Sequence, residues 1–118
     1  MKASSLLVAF ALTLAAAAPL RADARDDAKK QVEFGISVAQ RGLWREAIYR
    51  WERATQLDPS YAAAYNNLAV AYEHEGDFEK ARQSYEKAVE LDPNNALVKQ
   101  NYELFKEIND RTTRKDSQ

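Results

Sequence analysis

Residues 62–95 read AAAYNNLAVAYEHEGDFEKARQSYEKAVELDPNN, and residues 28–61 read AKKQVEFGISVAQRGLWREAIYRWERATQLDPSY. Laid one on the other, the two stretches agree at their punctuation and at their bulky positions. Gly42 recurs as Gly76, Trp44 as Phe78, Ala47 as Ala81, Trp51 as Tyr85 and Ala54 as Ala88. Leu57-Asp58-Pro59 recurs as Leu91-Asp92-Pro93. The same 34-residue step links Ala28, Ala62 and Ala96, and it links Phe34, Leu68 and Tyr102. A fixed period of that length marks one supersecondary unit stacked on copies of itself. Stacked units build binding surfaces and rarely build reaction centres.

Within the second unit, Tyr65, Leu68, Ala69 and Tyr72 are spaced i, i+3, i+4, i+7, the apolar stripe of an amphipathic helix. Gly76-Asp77 interrupts it, a second stripe follows through Phe78, Ala81, Tyr85, Ala88 and Val89, and Pro93 ends the unit. The first unit repeats this plan around Gly42. The spacing predicts helices at 26–40, 44–57, 60–74, 78–91 and 95–109, hence an all-α fold of two helix-turn-helix hairpins and a capping helix. Small residues recur where helices must cross closely: Gly35 and Ala69 on the first helices, Ala47 and Ala81 on the second. In the third unit Glu103 takes the place of Gly35 and Ala69, so no partner helix is expected beside it. The polar tail from 110 to 118 is expected to fray.

These residues resemble the tetratricopeptide repeat, whose motif is W-x2-L-G-x2-Y, then A-x3-F, A and P. The second unit shows Tyr65, Leu68-Ala69, Tyr72, Ala81, Tyr85, Ala88 and Pro93, and the first shows Phe34-Gly35, Val38, Ala47, Trp51, Ala54 and Pro59. The first unit departs from the motif at Gln31 and Val38, where aromatics are preferred. The resemblance covers residues 28–109, with repeats at 28–61 and 62–95 and a cap helix at 95–109. It implies an α-solenoid, a right-handed superhelix whose concave groove binds peptides or proteins, and it implies no catalysis.

The remaining composition is consistent with a binding role. The chain has 118 residues, enough for one domain, no cysteine and one histidine, His74. Thiol chemistry, disulfides and histidine-rich metal sites are thereby excluded. No catalytic residues, metal site or cofactor are expected. The net charge of −1 gives no electrostatic reason to expect nucleic acid as a partner. Arg41, Arg45, Arg50 and Arg53 read as a solvated face, of which Arg50 and Arg53 have the charge to attract an acidic partner.

Residues 1–24 read as an export signal. Lys2 gives a basic start, Leu6–Ala18 an apolar run, Pro19 a break and Ala22-Asp23-Ala24 a cleavage pattern. The run falls short of the roughly 20 residues that span a bilayer. The expectation is cleavage after Ala24, no membrane span in the mature chain, and a bacterial periplasmic location. Retention as an anchor is the alternative.

Helical geometry at about 100° per residue places the groove on the first-helix faces opposite the core stripe. The predicted groove residues are Val32, Ile36, Ala63, Asn66, Asn67, Val70, Glu73, Leu97, Gln100 and Asn101, with Leu104 beside them. Apolar side chains edged by amides suit a peptide whose backbone pairs with those amides. Other readings stay open: a preceding segment or a second copy covers Val32 and Ile36, a rotated cap helix buries Leu104, and Asn67 bonds a neighbouring helix. A family subtype that clamps a terminal carboxylate is not matched, because Val32, Ile36, Leu97 and Asn101 stand at the other clamp positions. The sequence therefore reads as an exported, non-enzymatic protein-binding module, a scaffold or assembly factor of an envelope complex. The alternative is a structural protein that oligomerises through its open repeat ends.

Overall fold

The computed structural model describes residues 17–118, with side chains described from residue 22. Five helices run in order: α1 Ala17–Gln40, α2 Trp44–Leu57, α3 Ala62–Glu75, α4 Phe78–Leu91 and α5 Ala96–Asp116. Each packs on the next, and α1 also touches α3, so consecutive hairpins stack with their first helices side by side. This is the all-α solenoid expected from the period.

Two bounds differ from expectation. α1 is already helical at Ala17, the first described residue, rather than beginning near residue 26, and Pro19 lies within it. α5 does not stop at Asn109 but is helical to Asp116. Its last turns carry Arg114 and Lys115, cations that complement the negative end of the helix dipole. The residues of the expected export signal lie mostly outside those described.

The turns follow from local chemistry. Gly42 and Gly76 both adopt φ of 79°, a left-handed conformation that side chains disfavour. After Gly76, the Asp77 N–H reaches back to the Tyr72 carbonyl at 2.8 Å; after Gly42, the Leu43 N–H reaches the Val38 carbonyl at 3.0 Å. Asp77 caps α4 by accepting from the Lys80 N–H at 3.2 Å. Asn95 caps α5 through the N–H groups of Leu97 and Val98. Between the hairpins, Asp58 accepts from the Ser60 N–H at 3.0 Å and from the guanidinium of Arg25, which also lies over the Tyr61 ring. Burial pushes the Asp58 carboxyl up, but the Arg25 and Ser60 bonds outweigh it and hold the group below the usual carboxylate value. Arg25 thus fastens the early turns of α1 to the α2–α3 loop.

α3 is apolar on two sides because it lies between the hairpins. Ala64, Leu68 and Ala71 pack into the first core cluster with Trp51, Ala54 and Val32. Ala69 packs into the second with Ala81, Tyr85 and Phe105. Trp51 is buried, and its indole N–H donates to the Val32 carbonyl at 3.0 Å. A Cβ added at Gly35 would come within 2.3 Å of that indole nitrogen. Gly35 is therefore the residue that admits the tryptophan; one period on, Ala69 accommodates the smaller Tyr85 ring. Gln31, at a departure from the motif, has a buried amide oxygen with no partner among the described residues.

Three tyrosines tie successive helices. Tyr72 donates to Glu52 at 2.7 Å, Tyr85 donates to Glu73, and Tyr102 donates to Glu86 at 3.1 Å. Burial first, and the neighbouring carboxylate second, push all three phenols above their ordinary value. Each hydroxyl stays protonated and keeps donating.

Gly35→Ala is expected to lower stability by about 1–3 kcal/mol, the overpacking outweighing alanine's better helix propensity, as read by urea unfolding. An Ala substitution that leaves the unfolding midpoint unchanged would mean that Trp51 has room to move. For Tyr85, a folded-state pKa above the unfolded value makes its contribution present below pH ~10 and lost as pH rises beyond it. Stability should fall above that pH by up to about 1.4 kcal/mol per unit for this tyrosine, and Tyr85→Phe should flatten the fall. Urea unfolding in steps from pH 8 to 11.5 measures both slopes.

Candidate binding groove

The first helices α1, α3 and α5 form one wall, and the residues predicted for the groove divide on it into three groups. Ile36 and Val70 stand one period apart and are both exposed, at 41% and 37%. Leu97 and Leu104 of α5 are more exposed still, at 61% and 54%. Gln100 is exposed, and Ala63 and Asn67 are half-buried beside Val70. These residues make an apolar strip with amides along it.

Val32 and Asn66 are a different case. They occupy equivalent positions one period apart, and both are buried, at 5% and 8%. Val32 belongs to the core around Trp51. The Asn66 side-chain oxygen accepts from the Asn101 amide across the α3–α5 cleft at 3.3 Å. Both positions face the next first helix along the stack, which closes over them. Gln100, the equivalent residue of α5, is exposed because no sixth helix follows among those described. Helical geometry taken one helix at a time puts Val32 and Asn66 on the open wall; in the structure both are buried within the stack. Asn101 is half-buried and engaged with Asn66, so it braces the wall from within.

Glu73 is half-buried at the edge of the strip, and the Tyr85 hydroxyl donates to its Oε2. Three other candidates have partners within the chain. His74 stacks on the Trp44 ring with centroids 4.1 Å apart, and lies 3.7 Å from the Glu75 carboxylate. Arg50 pairs with Glu46 at 3.0 Å and lies over the Phe34 ring at 4.4 Å. Arg53 donates to Gln56 at 3.3 Å. Among the described residues, no group of three or more His, Cys, Asp or Glu is placed to hold a metal ion.

The ends of the stack carry charge. Ala64, Leu68 and Ala71 pack α3 on the preceding hairpin; the same positions of α1 are Lys30, Phe34 and Ser37, all exposed. Ala69 and Tyr72 pack α3 on α4; in α5 the same positions are Glu103 and Lys106, which pair at 2.8 Å. An ion pair stands where a further second helix would have to pack.

Comparison with known proteins agrees with this geometry. A family model described as tetratricopeptide repeat matches residues 62–95, the second unit read from the period. A second, described as TPR repeat, matches residues 38–76. The chain is 40% identical over 48 residues to the TPR repeat-containing protein YpiA of Bacillus subtilis, covering 41% of this chain and 11% of that protein. It is 36% identical over 86 residues to the type IV pilus assembly protein PilF of Pseudomonas aeruginosa, covering 71% of this chain and 34% of that protein. The chain thus spans about a tenth of the first relative and a third of the second.

The Asn66–Asn101 bond should be measurable by a double-mutant cycle. Asn66→Ala and Asn101→Ala are each expected to destabilise, with a coupling of about 0.5–1.5 kcal/mol. Additive losses in urea unfolding would show that the two amides do not pair in solution.

Proposed function

The chain belongs to the tetratricopeptide-repeat family and is a protein–protein interaction module, and from this premise we propose that a partner polypeptide lies along the wall formed by α1, α3 and α5. The observation that supports this most is the exposed strip of Ile36, Val70, Leu97 and Leu104, apolar where a surface helix is normally polar. A partner segment laid on it would bury its own apolar residues there, and Asn67 and Gln100 would bond its backbone. The site performs no chemistry: its role is to hold a segment in place.

The proposed setting is an envelope complex in which the protein acts as scaffold or assembly factor. Two observations support it. Residues 1–24 have the pattern of an export signal, and a pilus-assembly protein shares most of the described length. No helix among the described residues is long and apolar enough to cross a membrane. A periplasmic location fits both.

Self-association through the repeat ends is the second reading, favoured by the two and a half units, fewer than the three usually wanted. Lys30 at one end, beside an exposed Phe34 ring that the Arg50 guanidinium covers, and the Glu103–Lys106 pair at the other weigh against it.

Val70→Glu is expected to abolish capture of the native partner by the folded protein, with an unchanged circular dichroism spectrum and melting midpoint. Capture at wild-type level by the folded variant would refute this groove. Light scattering on the same samples separates the second reading, which requires oligomers at micromolar concentration.

A further inference from the structure

The turns of α5 past Ile108 build something that no repeat position explains. α3 ends after 14 residues, whereas α5 runs for 21. Its extra turns pass the α3–α4 turn and enclose a slot of about 200 Å³. Phe78, Phe105 and Ile108 line it, together with Glu73, Thr112 and Asp116. Phe78 and Ile108 are half exposed, so the apolar part is reachable from solvent. The lining carries two carboxylates and no cation.

Glu73 is the informative group. Its Oε2 accepts from the buried Tyr85 hydroxyl, which fixes the side chain. Among the described residues, no donor bonds its Oε1 and no cation pairs with it. Lys80 lies toward Asp77 and the Tyr72 ring and Arg111 pairs with Glu107, while Arg82 lies over the Phe105 ring at 5.5 Å, beside the slot, and makes no ion pair with Glu73 among the described residues. Glu73 is thus a half-buried carboxylate lining the slot, held by a neutral donor and without an ion-pair partner among the described residues. The slot is continuous with the apolar strip, since Ile108 falls on the same stripe of α5 as Leu97 and Leu104, within about 40°.

We infer that this slot receives the side chain of a lysine or arginine of the partner polypeptide. The inference rests on the groove reading above and adds the chemistry of one anchoring residue. The aliphatic stem lies between Phe78, Phe105 and Ile108, as long basic side chains do on apolar surface. The cationic head meets Glu73, with Asp116 beside it. The partner is thereby a basic-apolar segment, and an acidic one is disfavoured at this end of the wall.

The probe is n-butylammonium, a lysine side chain without its backbone, with n-butanol as the neutral control. Titrated into the isotopically labelled protein, n-butylammonium should give saturable chemical-shift changes at Phe78, Ile108 and Thr112. n-Butanol should bind at least about tenfold more weakly, a difference of about 1.4 kcal/mol. Glu73→Gln keeps an acceptor for Tyr85 and should lose the same factor without a change in melting midpoint. Thr112→Lys, which supplies a cation from the protein itself, should lose binding too. Equal binding of n-butanol, unchanged binding to both variants, or shifts scattered over surface carboxylates would each overturn the proposal. So would shifts that appear on concentration without probe, because the occupant would then be the basic tail of a second copy. Partner capture separates this proposal from the groove: if Val70→Glu abolishes capture while Glu73→Gln and Thr112→Lys leave it unchanged, the groove stands and the slot proposal fails. If all three leave capture unchanged, the groove reading fails as well.

Discussion

The stack depends on one steric exchange: a bulky aromatic on the second helix of each hairpin fits because the first helix offers almost no side chain there. Trp51 lies against Gly35 so closely that a single added carbon has no space. Tyr85, with a smaller ring, lies in the same cluster as Ala69. Close approach of the axes and filling of the gap are one event, since a void there would forfeit dispersion contacts and an extra methylene would force the ring aside. Trp51, at the centre of the first cluster, also meets residues of α3, so the fit inside one hairpin fixes the surface on which the next one rests.

Hydrogen bonds then set the register of helices that apolar packing alone would let slide. The Trp51 indole ties α2 to α1, Tyr72 ties α3 to α2, Tyr85 ties α4 to α3, and Tyr102 ties α5 to α4. Each is a polar atom at the tip of a mostly apolar ring, so burial of the ring and satisfaction of the tip occur together. The glutamates that accept from the three tyrosines stand at the edges of the core, where their charge keeps contact with water. Glu73 is the one that also lines a cavity, and so a core contact reaches the slot proposed to take a basic side chain.

The wall proposed to hold a partner is a by-product of this stacking. Side-by-side first helices cover the flank that faces the next helix and leave the flank between open. Ile36 and Val70 fall on the open flank, Val32 and Asn66 on the covered one. No helix among those described covers that flank of α5, so Gln100 is exposed, and Leu97 and Leu104 lie open beside it. The Glu103–Lys106 pair puts charge where a further second helix would have to pack.

Much of this was legible in the sequence. The 34-residue period, the glycines at 42 and 76 and the prolines at 59 and 93 determine five helices, their turns and the residues that meet within each hairpin, because these are local or strictly periodic constraints. Glu103 in place of a small residue likewise marked the end of the stack. The groove was legible only in part. Whether a residue on the outer face of a helix meets water or a neighbour depends on the helix one period away, and nothing in its own turn of chain encodes that. The same limit hid the slot: residues 109–116 look like polar tail, with no apolar stripe to predict where they lie. The tertiary structure alone decided that they pass the α3–α4 turn, because the helix continues past the length of its repeat and carries its last turns alongside Phe78 and Glu73.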